Sequence, residues 1–158
     1  MERAIVGFHR DEEEHWVAEL SCGHGRHVRH DPPFWERPWV LAPETRAARL
    51  GTPLDCVRCD RGEWPDSLAF ERRTPEFDAD TLPAALRRRH RTKAGVWARI
   101  HLLEGRLRYR LHGAEPRETL LEAPAEAVVP PEVPHDVEPL GPVRLFIAFH
   151  RFRAPAPS

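Results

Sequence analysis

Three cysteines, all within the first 60 residues, constrain this chain more than anything else in it. Cys22 opens C-G-H, and Cys56 and Cys59 form C-V-R-C. An odd number cannot pair off fully as disulfides, and the N-terminus lacks the basic-then-apolar pattern of a secretory signal. The cysteines therefore read as metal ligands in a reducing cytoplasm. Two donors two or three residues apart on a tight turn can reach one ion, and Gly23 permits that turn. Cys22, His24, Cys56 and Cys59 supply the three sulfurs and one nitrogen of a closed structural zinc site. Free or buried thiols are the alternative. His27 and His30 continue the series C-G-H-G-R-H-V-R-H. They read as exposed groups, because four ligands are already present.

Composition divides the chain near residue 65. Residues 1–65 hold every cysteine, four of the five tryptophans, and 9 basic against 12 acidic residues, net −3. Residues 66–158 carry 15 basic against 13 acidic, net +2. The expected organisation is a small zinc-binding module over 1–65, a β domain over 66–153 and a mobile Pro-rich tail at 154–158. In the first module, 4–10 and 15–20 read as strands joined by an acidic turn. Residues 43–51 read as a short helix with Pro near its start and Gly past its end. A domain this small and poor in aliphatics needs a staple.

In the second part, 82–91 reads as a short helix. Short β-like runs follow, broken by Gly and Pro. In the first of them Val96, Ala98, Ile100 and Leu102 alternate with Trp97, Arg99, His101 and Leu103. Such alternation suits a barrel wall whose two sides differ. The fold class is therefore mainly β: a zinc-ribbon-like α+β module followed by a barrel.

Two resemblances sharpen this. G-F-H-R-D-E-E-E-H-W-V-A-E-L-S-C-G-H-G-R-H-V-R-H-D-P-P at 7–33, R-P-W-V at 37–40 and G-T-P-L-D-C-V-R-C at 51–59 resemble a family of small bacterial domains of unknown function. R-R-R-H-R-T-K-A-G-V-W-A-R-I-H-L-L-E-G-R-L-R-Y at 87–109 and V-P-P-E-V-P-H-D-V-E-P-L at 129–140 resemble the cupin-type domain of the YeaR/TehB-like tellurite-resistance family. That likeness implies a cupin-like double-stranded β-helix. Longer relatives join this domain to a methyltransferase. No glycine-rich cofactor loop of that kind is visible here, so methyl transfer is not carried over.

The cupin pattern implies metal ligands from opposed strands, but the set is incomplete. The glutamate expected before Gly105 falls at Ala98, and no H-x-H pair precedes the turn. His90, His135 and Glu138 remain as candidate ligands for a second divalent metal. His135 and Glu138 face opposite sides of a regular strand, so they converge only at a turn or bulge. Otherwise His90 is a helix C-terminal cation and His135 a turn residue. Lys93 is the only lysine among 24 basic residues. Lys93 and Arg99 are candidates for gripping an anionic ligand.

The function expected is a cytoplasmic stress protein, similar to tellurite-resistance proteins, whose barrel binds a metal ion or small oxyanion. The alternatives are a metal-dependent cupin enzyme and a metabolite-sensing regulator acting through a protein partner. No stretch approaches a membrane span. Cupin barrels often pair, so a homodimer is a candidate assembly. A basic stripe on the zinc module would favour DNA, whereas its net −3 argues against nucleic acid.

Overall fold

A computed structural model describes residues 1–153. The tail expected to be mobile, 154–158, lies outside the described residues. The chain is mainly β, as its alternation predicts. Strands β1 (Glu2–Arg10), β2 (Trp16–Leu20), β3 (Gly25–His27) and β4 (Pro53–Asp55) form one antiparallel sheet in the order β3-β2-β1-β4. The acidic run between β1 and β2 is a side-chain-capped turn. Asp11 Oδ1 accepts the backbone N–H of Glu13 and of His15, both at 2.9 Å. Helix α1 (Pro43–Ala47) carries Pro at its first turn, and the remainder of the expected helix unwinds as turns to Gly51. Helix α2 (Val57–Asp60) is a single turn entered from Cys56.

The larger domain has two sheets. β5 (Ala69–Arg73), β6 (Phe77–Asp78), β7 (Val96–Glu104), β10 (Ala125–Val129) and β12 (Arg144–Arg151) make one, in the order β10-β7-β12-β5 with β6 also on β12. β8 (Arg106–Leu111), β9 (Arg117–Glu122) and β11 (His135–Pro139) make the other, in the order β11-β8-β9. Ala98, Ile100, Leu102, Leu145 and Ile147 from the first sheet meet Leu107, Tyr109, Leu121 and Val137 from the second in one buried core. The interior is thus packed with aliphatic side chains, and Ala98, at the position where the cupin pattern has a glutamate, is 2% exposed within it.

The helix expected over 82–91 does not form. Only Ala84–Arg87 makes a 3₁₀ turn. The run R-R-R-H-R offers no apolar stripe to bury, so nothing in it rewards a helix. Its backbone takes a strand partner instead: His90 N–H bonds His135 O at 2.9 Å, and His135 N–H bonds His90 O at 2.8 Å.

The turn joining β7 to β8 depends on Gly105, whose φ is +85°. A Cβ there would sit 2.1 Å from the carbonyl oxygen of Pro142. Gly105→Ala is expected to cost about 2–4 kcal/mol, combining left-handed strain with overpacking against backbone. A drop in urea midpoint at unchanged slope measures it; an unshifted midpoint contradicts the turn geometry.

Candidate metal centre

Cys22 and His24 lie in the turn between β2 and β3. Cys56 and Cys59 flank and enter α2. The β1 strand pairs with both β2 and β4, and so brings these two halves together. All four side chains are buried, and their donor atoms lie within 4.8 Å of one another. The sulfurs of Cys22, Cys56 and Cys59 stand 3.5, 3.4 and 3.5 Å from His24 Nδ1. Cys22 Sγ and Cys56 Sγ are 3.9 Å apart, far beyond a disulfide bond. Tetrahedral zinc with bonds of about 2.3 Å to sulfur and about 2.0 Å to nitrogen sets edges of about 3.8 and 3.6 Å. The donor set has both the identity and the size for that ion.

Surrounding groups hold the ligands in position. Gly23 turns the C-G-H segment at φ +97°, and any Cβ there would press on the Phe152 ring at 3.2 Å. His24 Nε2–H donates to the Glu63 carbonyl at 2.9 Å, which turns the Nδ1 lone pair toward the sulfurs. Burial opposes a charge on His24, yet hydrogen bonds from its Nδ1 to the Cys22 and Cys56 sulfurs prevail and raise its pKa to about 9, so an arriving ion displaces that proton. Hydrogen bonds from Cys22 and Cys59 drive the Cys56 thiol far below the ordinary thiol range. The same sulfur contacts, with burial, push the Cys59 thiol up, so the cluster favours one thiolate, and it is the donor set of three sulfurs and one imidazole nitrogen that suits a cation. With all four positions filled by protein, zinc held here would supply structural cross-linking and leave no position for a substrate.

His27 and His30 stay outside this cluster. His27 Nε2 pairs with Asp11 Oδ2 at 2.8 Å, and His30 Nδ1 accepts the Arg37 backbone N–H at 3.0 Å.

The larger domain covers one side of the metal centre. Trp97 projects outward from β7 into the small module and is fully buried there. Its Nε1–H donates to the Cys22 carbonyl at 2.6 Å, and its ring packs edge-on against His24 and Trp64. The alternation in 96–103 anticipates two unlike faces but not what covers the outer one. Arg99 shares that outer face. It stacks on Trp64, 4.1 Å from the ring centroid, and faces Glu126 at 3.8 Å. Arg99 is thus engaged in holding the two parts together and does not point into the barrel.

The other barrel residues separate. His90 and His135 come together with ring centroids 5.1 Å apart. His135 is buried, and burial lowers its pKa, with the nearby His90 adding to the effect. Glu138 faces away, paired with Arg110 at 3.0 Å and Arg108 at 3.3 Å, because it lies three residues from His135 on the regular strand β11. Among the described residues, Cys22, His24, Cys56 and Cys59 are the one group of three or more ligands that converges. Lys93 does lie beside His90, in an open groove of about 410 Å³. Arg72, Arg91 and Arg151 also line it, over Val96 and Phe149. Sequence reading missed Arg72 and Arg151 because strand pairing of β5 with β12, and not spacing, delivers them.

These features define a two-part protein: a Cys3His knuckle module packed onto a double-sheeted β barrel of cupin-like form. Residues 6–63 match the family described as protein of unknown function DUF3565, and residues 72–147 match the TehB-like domain, each over less than half of the chain. A crystal structure of a protein from E. coli (strain K12) is 32% identical with TM-score 0.52, over 60% of this chain and 98% of that one. The crystal structure of TehB from Haemophilus influenzae is 23% identical with TM-score 0.50, over 54% of this chain and 32% of TehB. At that identity the likeness shows the fold alone, and the chain spans about a third of TehB's length. Comparison with curated proteins finds no match. No helix among the described residues is long and apolar enough to cross a membrane.

Proposed function

We propose that the protein binds a small oxyanion in the groove beside His90, with a structural zinc fixing the module against which the barrel is built. The observation that carries this reading is the charge of the groove. Arg72, Arg91, Lys93 and Arg151 line it against one carboxylate, Glu71, which is already paired with Arg151 at 3.0 Å. Arg72 is held over the Phe149 ring at 4.3 Å, so one guanidinium is oriented in advance. Thr92 also lines the groove, its hydroxyl donating to the Val96 carbonyl at 2.7 Å and so holding the segment 91–93. Planar guanidinium forks and a point-charge amine together suit an anion with several oxygens. The tellurite-resistance likeness makes tellurite the first anion to test, with selenite and phosphate beside it.

A metal-dependent enzyme finds less support. His90 and His135 supply two imidazoles, but Glu138 faces outward, and behind His135 stands the buried Tyr109 ring with aliphatic side chains around it. Among the described residues no third ligand side chain converges with them.

Calorimetric titration of the zinc-loaded protein with each oxyanion tests the proposal. Binding is expected to weaken roughly 10- to 100-fold in Lys93→Ala and in Arg91→Ala, the value of one charge-assisted hydrogen bond. Heat that is absent for all three anions, or unchanged by both substitutions, removes the proposal.

A further inference from the structure

The small module carries a second cationic surface, remote in chain position from the groove beside His90. The loop after β3 closes on itself through a bridge between Asp31 and Trp35, with N–H···O distances of 2.8 and 2.9 Å. That closure pushes two aromatic rings outward. Phe34 is 84% exposed and Trp35 51% exposed, whereas Trp97 is fully buried. Arg26, His27, Arg29 and Arg37 surround Trp35 in a groove of about 250 Å³, and no carboxylate lines it. The Arg37 guanidinium lies over the Trp35 ring, 5.3 Å from its centroid. Arg29 is also a wall of a neighbouring groove of about 510 Å³ that holds Arg10, Trp16 and His30. The two grooves therefore adjoin at Arg29. There Arg10 and Arg46 both lie over the Trp16 ring, at 4.9 and 3.8 Å. Glu14 and Asp31 line only the second groove.

Net charge hides this arrangement. The module's −3 comes in large part from the acidic turn at 11–14, while the loop face collects its arginines. Arg26 donates to the Asp55 carbonyl at 2.6 Å, and among the described residues no carboxylate pairs with Arg26, Arg29 or Arg37. Exposed rings beside such guanidiniums suit a ligand that has flat faces and regularly spaced negative charges. Single-stranded nucleic acid has both: bases stack on exposed aromatics and the backbone follows the cations. We infer that the face formed by Arg26, Arg29, Phe34, Trp35 and Arg37 binds single-stranded nucleic acid without strong sequence preference. Stacking on Trp35 and Phe34 supplies the base contacts, and Arg29 carries the strand from the first groove toward the second. A protein partner would not require the salt dependence that this mode does.

Fluorescence anisotropy of a labelled oligothymidylate of roughly a dozen nucleotides, titrated with the full zinc-loaded chain, tests this. Binding at about 50 mM salt is expected to weaken steeply toward about 200 mM. Trp35→Ala is expected to weaken it roughly 5- to 100-fold, the range for losing one stacked base. Arg29→Gln is expected to flatten the logarithmic salt dependence by about 0.7, one phosphate on a single strand. Both side chains stand clear of the zinc ligands, so unchanged zinc content certifies that the variants are folded. Vesicles rich in anionic lipid serve as the competing surface. No oligonucleotide binding at low salt overturns the inference. Binding that neither substitution alters, or capture by vesicles in place of the oligonucleotide, overturns it equally.

Discussion

Cys56→Ser is expected to lower zinc content from one ion per chain to near zero and to unfold the β1–β4 sheet. The buried cluster of this module is small: Ile5, Ala18, Leu20, Val28 and Val40, with the cysteines and the borrowed ring of Trp97. A structural zinc contributes about 10–16 kcal/mol in comparable small domains, as large as the whole stability of an ordinary one. Serine oxygen is a poor substitute for thiolate, and three remaining donors leave the tetrahedron open. Elemental analysis reads the metal, and near-ultraviolet circular dichroism reads the packing of Trp16, Trp39, Trp64 and Trp97. A strong chelator should reproduce the spectrum of the variant in the unsubstituted protein. Zinc content that persists in Cys56→Ser, or an unchanged spectrum after chelation, would refute the assignment. Acid should act in the same direction, because His24 and the thiols must lose protons to bind the ion and regain them as pH falls.

The convergence of Cys22, His24, Cys56 and Cys59 was legible in sequence because C-G-H and C-x-x-C fix local geometry by themselves. A short turn places paired donors side by side whatever the rest of the chain does. The barrel was legible for a related reason: alternation in Val96–Glu104 survives burial of one face. The helix expected at 82–91 failed because its evidence was local and the winning interaction was not. His90 pairs with His135 across 45 positions, and no periodicity near His90 announces a partner that distant. The same limit applies to the groove, whose Arg72 and Arg151 arrive by pairing of β5 with β12. Glu138 went the other way. The two-residue period already argued that it and His135 face apart, and a regular β11 keeps them so. Arg99 was placed on the correct face of its strand. What that face touches depends on the packing of the small module, which is absent from any reading of the strand alone.

Trp97→Ala is expected to destabilise both parts of the chain together. The residue belongs to the barrel by sequence and to the metal module by packing. Truncating a fully buried tryptophan costs about 3–5 kcal/mol, through lost apolar contact and the cavity left behind. For a chain of this size that lowers the melting temperature by roughly 10 °C or more. A second effect follows from the indole N–H, which satisfies the Cys22 carbonyl at 2.6 Å. Without it the carbonyl is buried and unpaired next to a metal ligand. Trp97→Phe weights the two contributions differently, since it removes the donor but leaves a much smaller cavity than alanine does. The phenylalanine variant should lose about 1–3 kcal/mol. It should also bind zinc about 10- to 100-fold more weakly, as expected when a support of a ligand loop is lost. Chelator competition measures the affinity, and denaturant melts followed at both parts measure the coupling. If the two parts share Trp97 as described, the alanine variant shifts both transitions. A shift confined to the barrel, with zinc affinity untouched, would mean that the metal centre stands independently of the wall behind it.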